Sequence, residues 1–157
     1  MPQKRRFLGY ISILLLVLLF CLGIRLMPPP KPSHLGVIDG KLRECPSSPN
    51  CVSSAANDAA HRVAPIEFTG SIADAKEQLV HIVGQLPRTS LVTERENYLH
   101  FECRSKIFRF IDDLEFYIDA KTKSIQMRSA SRIGYSDLGV NRDRVNKITE
   151  AFQCEGK

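Results

Sequence analysis

The segment Tyr98–Arg132, "YLHFECRSKIFRFIDDLEFYIDAKTKSIQMRSASR", decides the fold. Three stretches within it, "YLHFECRS", "IFRFIDDLEFYID" and "SIQMRSASR", alternate apolar and polar residues with period two, the mark of strands with one buried face. Tight connections at Ser105-Lys106 and around Lys121-Thr122 fold them into an antiparallel meander. One face then carries Leu99, Phe101, Cys103, Phe108, Phe110, Leu114, Phe116, Ile118, Ile125 and Met127, a core face. The other carries Tyr98, His100, Glu102, Arg104, Arg109, Asp113, Glu115, Tyr117, Gln126, Arg128 and Arg132. A slip of one residue would drive the charges into the core, so the pattern pins the faces.

In this register Glu102 falls opposite Arg109 and Glu115 opposite Arg128, with Asp113 within reach of Arg132. Three arginines meet three carboxylates, and the lattice neutralises itself. An open phosphate pocket would instead leave arginine charge unpaired for its ligand. Asp112 is the exception, a carboxylate on the core face near Ser129 and Ser131. Buried there, it needs hydrogen bonds from the serines or from backbone amides of the following loop.

Two amphipathic stretches complete the layer. "SIADAKEQLVHIVGQL" places Ile72, Leu79, Ile82, Val83 and Leu86 on one side, with Ser71 as N-cap. "NRDRVNKITEAFQC" places Val145, Ile148 and Phe152 on one side, with Asn141 as cap. "RVAPIEF" and "TSLVTER" read as further strands, and His81 and His100 as surface histidines. The expected fold is α+β: an antiparallel sheet with two helices packed on one face, preceded by one N-terminal transmembrane helix.

That helix is read from "FLGYISILLLVLLFCLGI", an uncharged run from Phe7 to Ile24, close to the ~20 residues that cross a bilayer. Lys4, Arg5 and Arg6 precede it and a single Arg25 follows, which keeps the N-terminus cytoplasmic and the domain outside. No A-x-A-like cleavage site follows. Phe20 stands where a lipoprotein signal needs a small residue before Cys21. The chain thus divides into a basic tail (1–6), an anchor (7–26), the proline-rich spacer "MPPPKPSH" within 27–34, and one domain (35–157). The net charge of +5 sits mainly in the anchor region. From Pro28 onward 18 Lys and Arg face 17 Asp and Glu, so nucleic acid is not an expected partner.

Beyond the anchor lie Cys45, Cys51, Cys103 and Cys154, two pairs in an oxidising compartment. "CPSSPNC" closes a short loop from Cys45 to Cys51. Cys103 on the core face and Cys154 at the end of the last helix form the second expected pair. Neither a zinc spacing nor the C-x-x-C redox motif is present, so no metal or cofactor is expected.

The pieces "LGVIDGKLRECPSSPNCVSS", "FRFIDDLEFYID" and "RSASRIGYSDLGVNRDRV" together resemble the domain of unknown function 1499 (DUF 1499) family, over nearly all of Leu35 to Phe152. The matching residues include Cys45, Pro46, Asn50, Cys51, Ser53, Asp112, Asp113, Glu115, Arg128, Ser129, Ser131, Arg132, Gly134, Tyr135, Asp137, Asn141 and Arg142. The resemblance implies one intact domain and brings no established reaction.

The expected function is that of a non-enzymatic envelope domain, inner-membrane anchored, that binds a small ligand or a protein partner. Its site lies where the Cys45–Cys51 loop meets the 132–142 loop, with Arg132, Tyr135, Asp137, Asn141 and Arg142 as candidate binding residues. The alternative is a hydrolase or transferase acting on an anionic envelope substrate, with Asp112 or Asp137 as acid or base and Arg132 or Arg142 steadying the anion. The G-x-S-x-G, Walker and H-E-x-x-H motifs are all missing from the sequence.

Overall fold

The computed structural model describes residues 10, 13, 15–17 and 29–155. The chain falls into two compact units, Met1–Pro30 and Lys31–Lys157. The basic tail and most of the expected anchor, including Cys21, lie outside the described residues. Among the described residues, no helix is long and apolar enough to cross a membrane.

The second unit is α+β. Its elements run β1 (Val37–Ile38), β2 (Lys41–Leu42), β3 (Cys51–Ser53), β4 (Ile66–Glu67), α1 (Ile72–Gly84), β5 (Thr89–Glu94), β6 (Tyr98–Arg104), β7 (Ile111–Asp119), β8 (Ser124–Ser131) and α2 (Val140–Glu155). The strands β6 to β8 form the expected antiparallel meander, within a sheet of order β3-β8-β7-β6-β5 in which β4 also pairs with β8. A separate small hairpin joins β1 and β2. The core is the expected one: Leu99, Phe101, Leu114, Phe116, Ile118, Ile125 and Met127 from the sheet meet Leu79, Ile82 and Val83 of α1 and Val145, Ile148 and Phe152 of α2. Ser71 caps α1, and Asp74 answers it in a capping box.

Two expectations about the meander change. Glu115 does face Arg128, but Glu102 faces Asp113 rather than Arg109. The tight turn at Ser105-Lys106 is instead a six-residue loop, 105–110, which moves the partner of Glu102 by four residues. An even shift leaves every side chain on its face, so the alternation could not detect it. The same loop carries Phe108 and Phe110 off the core and into solvent.

His100 is not a surface residue. Together with Tyr98, Asp113, Glu115 and Arg128 it is buried on the second face of the sheet. The cover is the segment that opens the domain: Gly36 donates its N–H to Glu115 Oε1 at 2.7 Å, Leu42 its N–H to Gln126, and Lys31 its ammonium to Thr93. His81 is exposed, as expected.

Candidate functional site

The polar face resolves into two linked groups of buried charge. Glu115 accepts from Gly36 N, from the Tyr98 hydroxyl at 2.8 Å and from Arg128 Nη1 at 3.1 Å. Burial, and then the Glu115 carboxylate beside it, push the Tyr98 phenol up. Beside this group, Arg132 grips Asp113 with a fork, Nε to Oδ2 at 2.9 Å and Nη2 to Oδ1 at 2.7 Å, and reaches Glu102 Oε1 at 2.6 Å. Directly opposed carboxylates repel, and Glu102 and Asp113 are directly opposed. Arg132 between them turns that repulsion into a bridge.

His100 adds Nε2–H to Asp113 Oδ1 at 2.7 Å, while its buried Nδ1 meets no partner among the described residues. Burial works to raise the Asp113 pKa, but the hydrogen bonds and charges of Arg132 and His100 outweigh it and hold the carboxyl below its ordinary range. Asp113 in turn raises the Arg132 guanidinium.

A second polar cluster sits on the core side where the sheet meets the start of α2. Asp112 is fixed by Ser131 Oγ at 2.6 Å, as expected, and also by Arg144 Nη2 at 2.7 Å. Asn141 is wholly buried rather than a cap. Its Oδ1 accepts from Ser129 Oγ and Arg144 Nη1, and its Nδ2 donates to Asn50 O and Ser131 Oγ. The start of α2 is served instead by Asp137, three residues ahead of it, whose carboxylate accepts the N–H groups of Gly139 at 3.1 Å and Asn141 at 2.8 Å. Leu138 and Gly139, both with positive φ, bend the chain so that Asp137 lies over the helix start. Arg142 donates to the carbonyls of Ala60 and Arg62 and pins that loop.

The two loops expected to meet do so. Cys45 and Cys51 form a disulfide. Asn50, next to it, donates from Nδ2 to Gly134 O at 2.6 Å and accepts from Ser131 N at 3.0 Å. His61 backs this loop, its Nε2 toward Ser48 O and its Nδ1 toward Asp58. The expected Cys103–Cys154 bridge is absent and both cysteines are free. Cys154 falls two residues past Phe152, about 200° around the helix from the buried stripe, and is exposed. Burial pushes the Cys103 thiol up, against the opposing charge of Arg144.

Between the disulfide loop and the Arg128–Gly134 segment lies a cavity of about 580 Å³. Arg43, Glu44, His34, Asp113, Arg128 and Arg132 contribute charged or titratable side chains to its wall. Arg128, its side chain 5 % exposed, is the member of this wall whose bonding is incomplete among the described residues: Nη1 holds Glu115, but the buried Nε has no acceptor. A hollow of about 660 Å³ between β4, α1 and α2 is larger, but of the charged side chains in its wall Glu67, Asp74 and Lys123 are not buried.

Of the five candidate binding residues, Arg132 alone lines the cavity, and Arg132, Asp137, Asn141 and Arg142 all hold the fold. Tyr135 is left, 76 % exposed on the loop. Sequence reading missed Arg43, Asn50 and Arg144 as functional positions. Asn50 was visible in the motif resemblance, whereas Arg43 lies in a segment without periodicity and Arg144 on a helix face whose neighbour the pattern does not identify.

The model of a family described as "Protein of unknown function (DUF1499)" matches residues 41–152. The chain belongs to that family. No curated protein matches it.

Proposed function

We propose that this member of the DUF1499 family is a membrane-tethered, non-enzymatic domain that binds a small anionic ligand in the cavity between its disulfide loop and β8. In this reading residues 7–26 are a single-pass anchor in the inner membrane, residues 1–6 stay in the cytoplasm, and the domain works outside it. The uncharged run behind Lys4, Arg5 and Arg6 supports the topology. The Cys45–Cys51 disulfide supports an oxidising compartment.

The observation that carries the ligand reading is Arg128. A buried guanidinium with an unfilled Nε is costly, and native proteins rarely leave such a donor without a partner. The Nε itself is shut off from solvent, but Arg128 belongs to the cavity wall, where Arg43 adds an exposed second positive charge. A carboxylate or phosphate in that cavity meets a wall carrying both guanidinium side chains. The catalytic alternative has less support, because Asp112 is held by Ser131 and Arg144 and Asp137 caps a helix. Neither carboxylate stands where a substrate would need a base.

Arg43→Glu reverses a charge on the cavity wall without touching the buried layer. Native mass spectrometry of the full-length protein, released with its membrane, should show a retained small anion in the wild type and its loss in Arg43→Glu. A wild-type mass equal to the bare chain, or equal retention in both, would overturn the reading.

A further inference from the structure

A second surface lies at the end of the sheet where β6 turns into β7 and β8 runs out. Loop 105–110 carries Ile107 and Phe108, 79 % and 60 % exposed, and an exposed Phe110 stacked on Phe108 with ring centroids 5.5 Å apart. Arg132 N donates to Ile111 O, which brings the 133–139 loop to the same end of the sheet. That loop adds Ile133, Tyr135 and Leu138, the last 93 % exposed. Exposed apolar groups gathered at one end of a sheet mark an interaction site, whereas scattered apolar residues do not.

The apolar groups have a cationic collar. Arg88, Arg104 and Arg109 line a hollow of about 280 Å³ beside the tip, and no carboxylate shares its wall. Arg88 and Arg104 are joined by backbone and side-chain hydrogen bonds, Arg104 N to Arg88 O and Arg88 Nε to Arg104 O. Arg104 also reaches Glu102 at 2.9 Å, while Lys106 stands exposed on the loop itself. Arg88 and Arg109 both hold left-handed backbone, uncommon for residues other than glycine.

The order in depth matters. Ile107 and Phe108 lie at the middle of the loop, and Arg88 and Arg104 at the strand ends behind it. Apolar groups at the middle of the loop, with Arg88 and Arg104 at its base and Arg109 on its returning arm, suit an anionic bilayer, where apolar side chains pass the headgroups and arginines stop at the phosphates. We propose that this end of the domain docks on an anionic lipid surface, Ile107, Phe108, Tyr135 and Leu138 entering the interface and the three-arginine hollow taking a lipid phosphate. This surface meets the cavity at Ile133, but the 105–110 tip and the three-arginine hollow lie outside the cavity wall, so each reading can fail without the other.

The chain contains no tryptophan, so Phe108→Trp introduces a single indole reporter at the tip. Tyr135→Trp gives a second, should the first variant misfold. Ile38→Trp serves as a control, on the β1–β2 hairpin that contacts Gln126 near the other end of the sheet. The full-length protein is reconstituted into vesicles of phosphatidylcholine with phosphatidylglycerol, with brominated acyl chains as quencher. Emission from the tip reporters should shift to the blue and be quenched, the control should stay unquenched, and Arg88→Glu/Arg109→Glu should abolish the quenching. Quenching should also weaken in pure phosphatidylcholine and at high salt. Tip reporters that stay unquenched in anionic vesicles would overturn the proposal and point to a protein occupant. Quenching that is equal at tip and control, or indifferent to phosphatidylglycerol and to the two arginines, would overturn it as well.

Discussion

Arg132→Ala should destabilise the domain by about 3–5 kcal/mol, measured by denaturant unfolding of the full-length protein. The side chain is 3 % exposed and bridges two carboxylates, Asp113 and Glu102, that face each other across β6 and β7. Removing it leaves both acids buried or half-buried without their cation and restores their mutual repulsion. His100 cannot replace it, since its Nε2 already donates to Asp113 Oδ1 and does not reach Glu102. The loss is a large part of the 5–15 kcal/mol that holds a typical domain together. Tyr135→Ala, at an exposed position in the same stretch, should stay within about 0.5 kcal/mol of wild type. Equal stability of the two variants would show that the arginine is not the keystone of the buried layer.

Asn141→Ala should cost about 2–4 kcal/mol in the same measurement. The truncation removes the acceptor for Ser129 and Arg144 and the donor to Asn50 O, all inside the fold. The tie to Asn50 also connects α2 to the disulfide loop over the cavity. The variant should therefore lose both stability and ligand retention, whereas Arg43→Glu should lose retention alone. A helix cap exposed to solvent would cost about 1 kcal/mol, so the size of the loss distinguishes the buried role from the capping role that the sequence led us to expect.

The contrast at position 141 shows where sequence reading stops. Asn141 and Asp137 are both good capping residues, and composition does not choose between them. The choice is made by the turn at Leu138 and Gly139, which places Asp137 over the first amides and turns Asn141 inward. The sheet behaves similarly. Alternation assigned the residues of β6, β7 and β8 to their faces, because a slip of one residue would be ruinous, but it said nothing of a slip by four. It also ran on through "IFRF", whose Phe108 and Phe110 keep the period while standing on an exposed loop.

The burial of the polar face was not legible for another reason. Its cover begins in the proline-rich spacer, where Lys31 already contacts Thr93, and continues through strands of two residues. Such a segment has no period to read. The ion-pair lattice was visible as chemistry, while its depth was not, and depth is what separates Arg128 with its open Nε from an ordinary surface arginine.

Arginine Nε–Hε NMR spectra of the full-length protein, titrated with inorganic phosphate as the smallest anionic probe, compare the two buried arginines directly. The Arg132 Hε, bonded to Asp113, should exchange slowly with solvent and keep its position throughout. The Arg128 Hε should move as phosphate is added, and Arg43→Glu should remove that movement. An Arg128 signal that stays fixed, or an Arg132 signal that moves with it, would contradict the division of this face into a closed ion layer and one arginine that answers to a ligand.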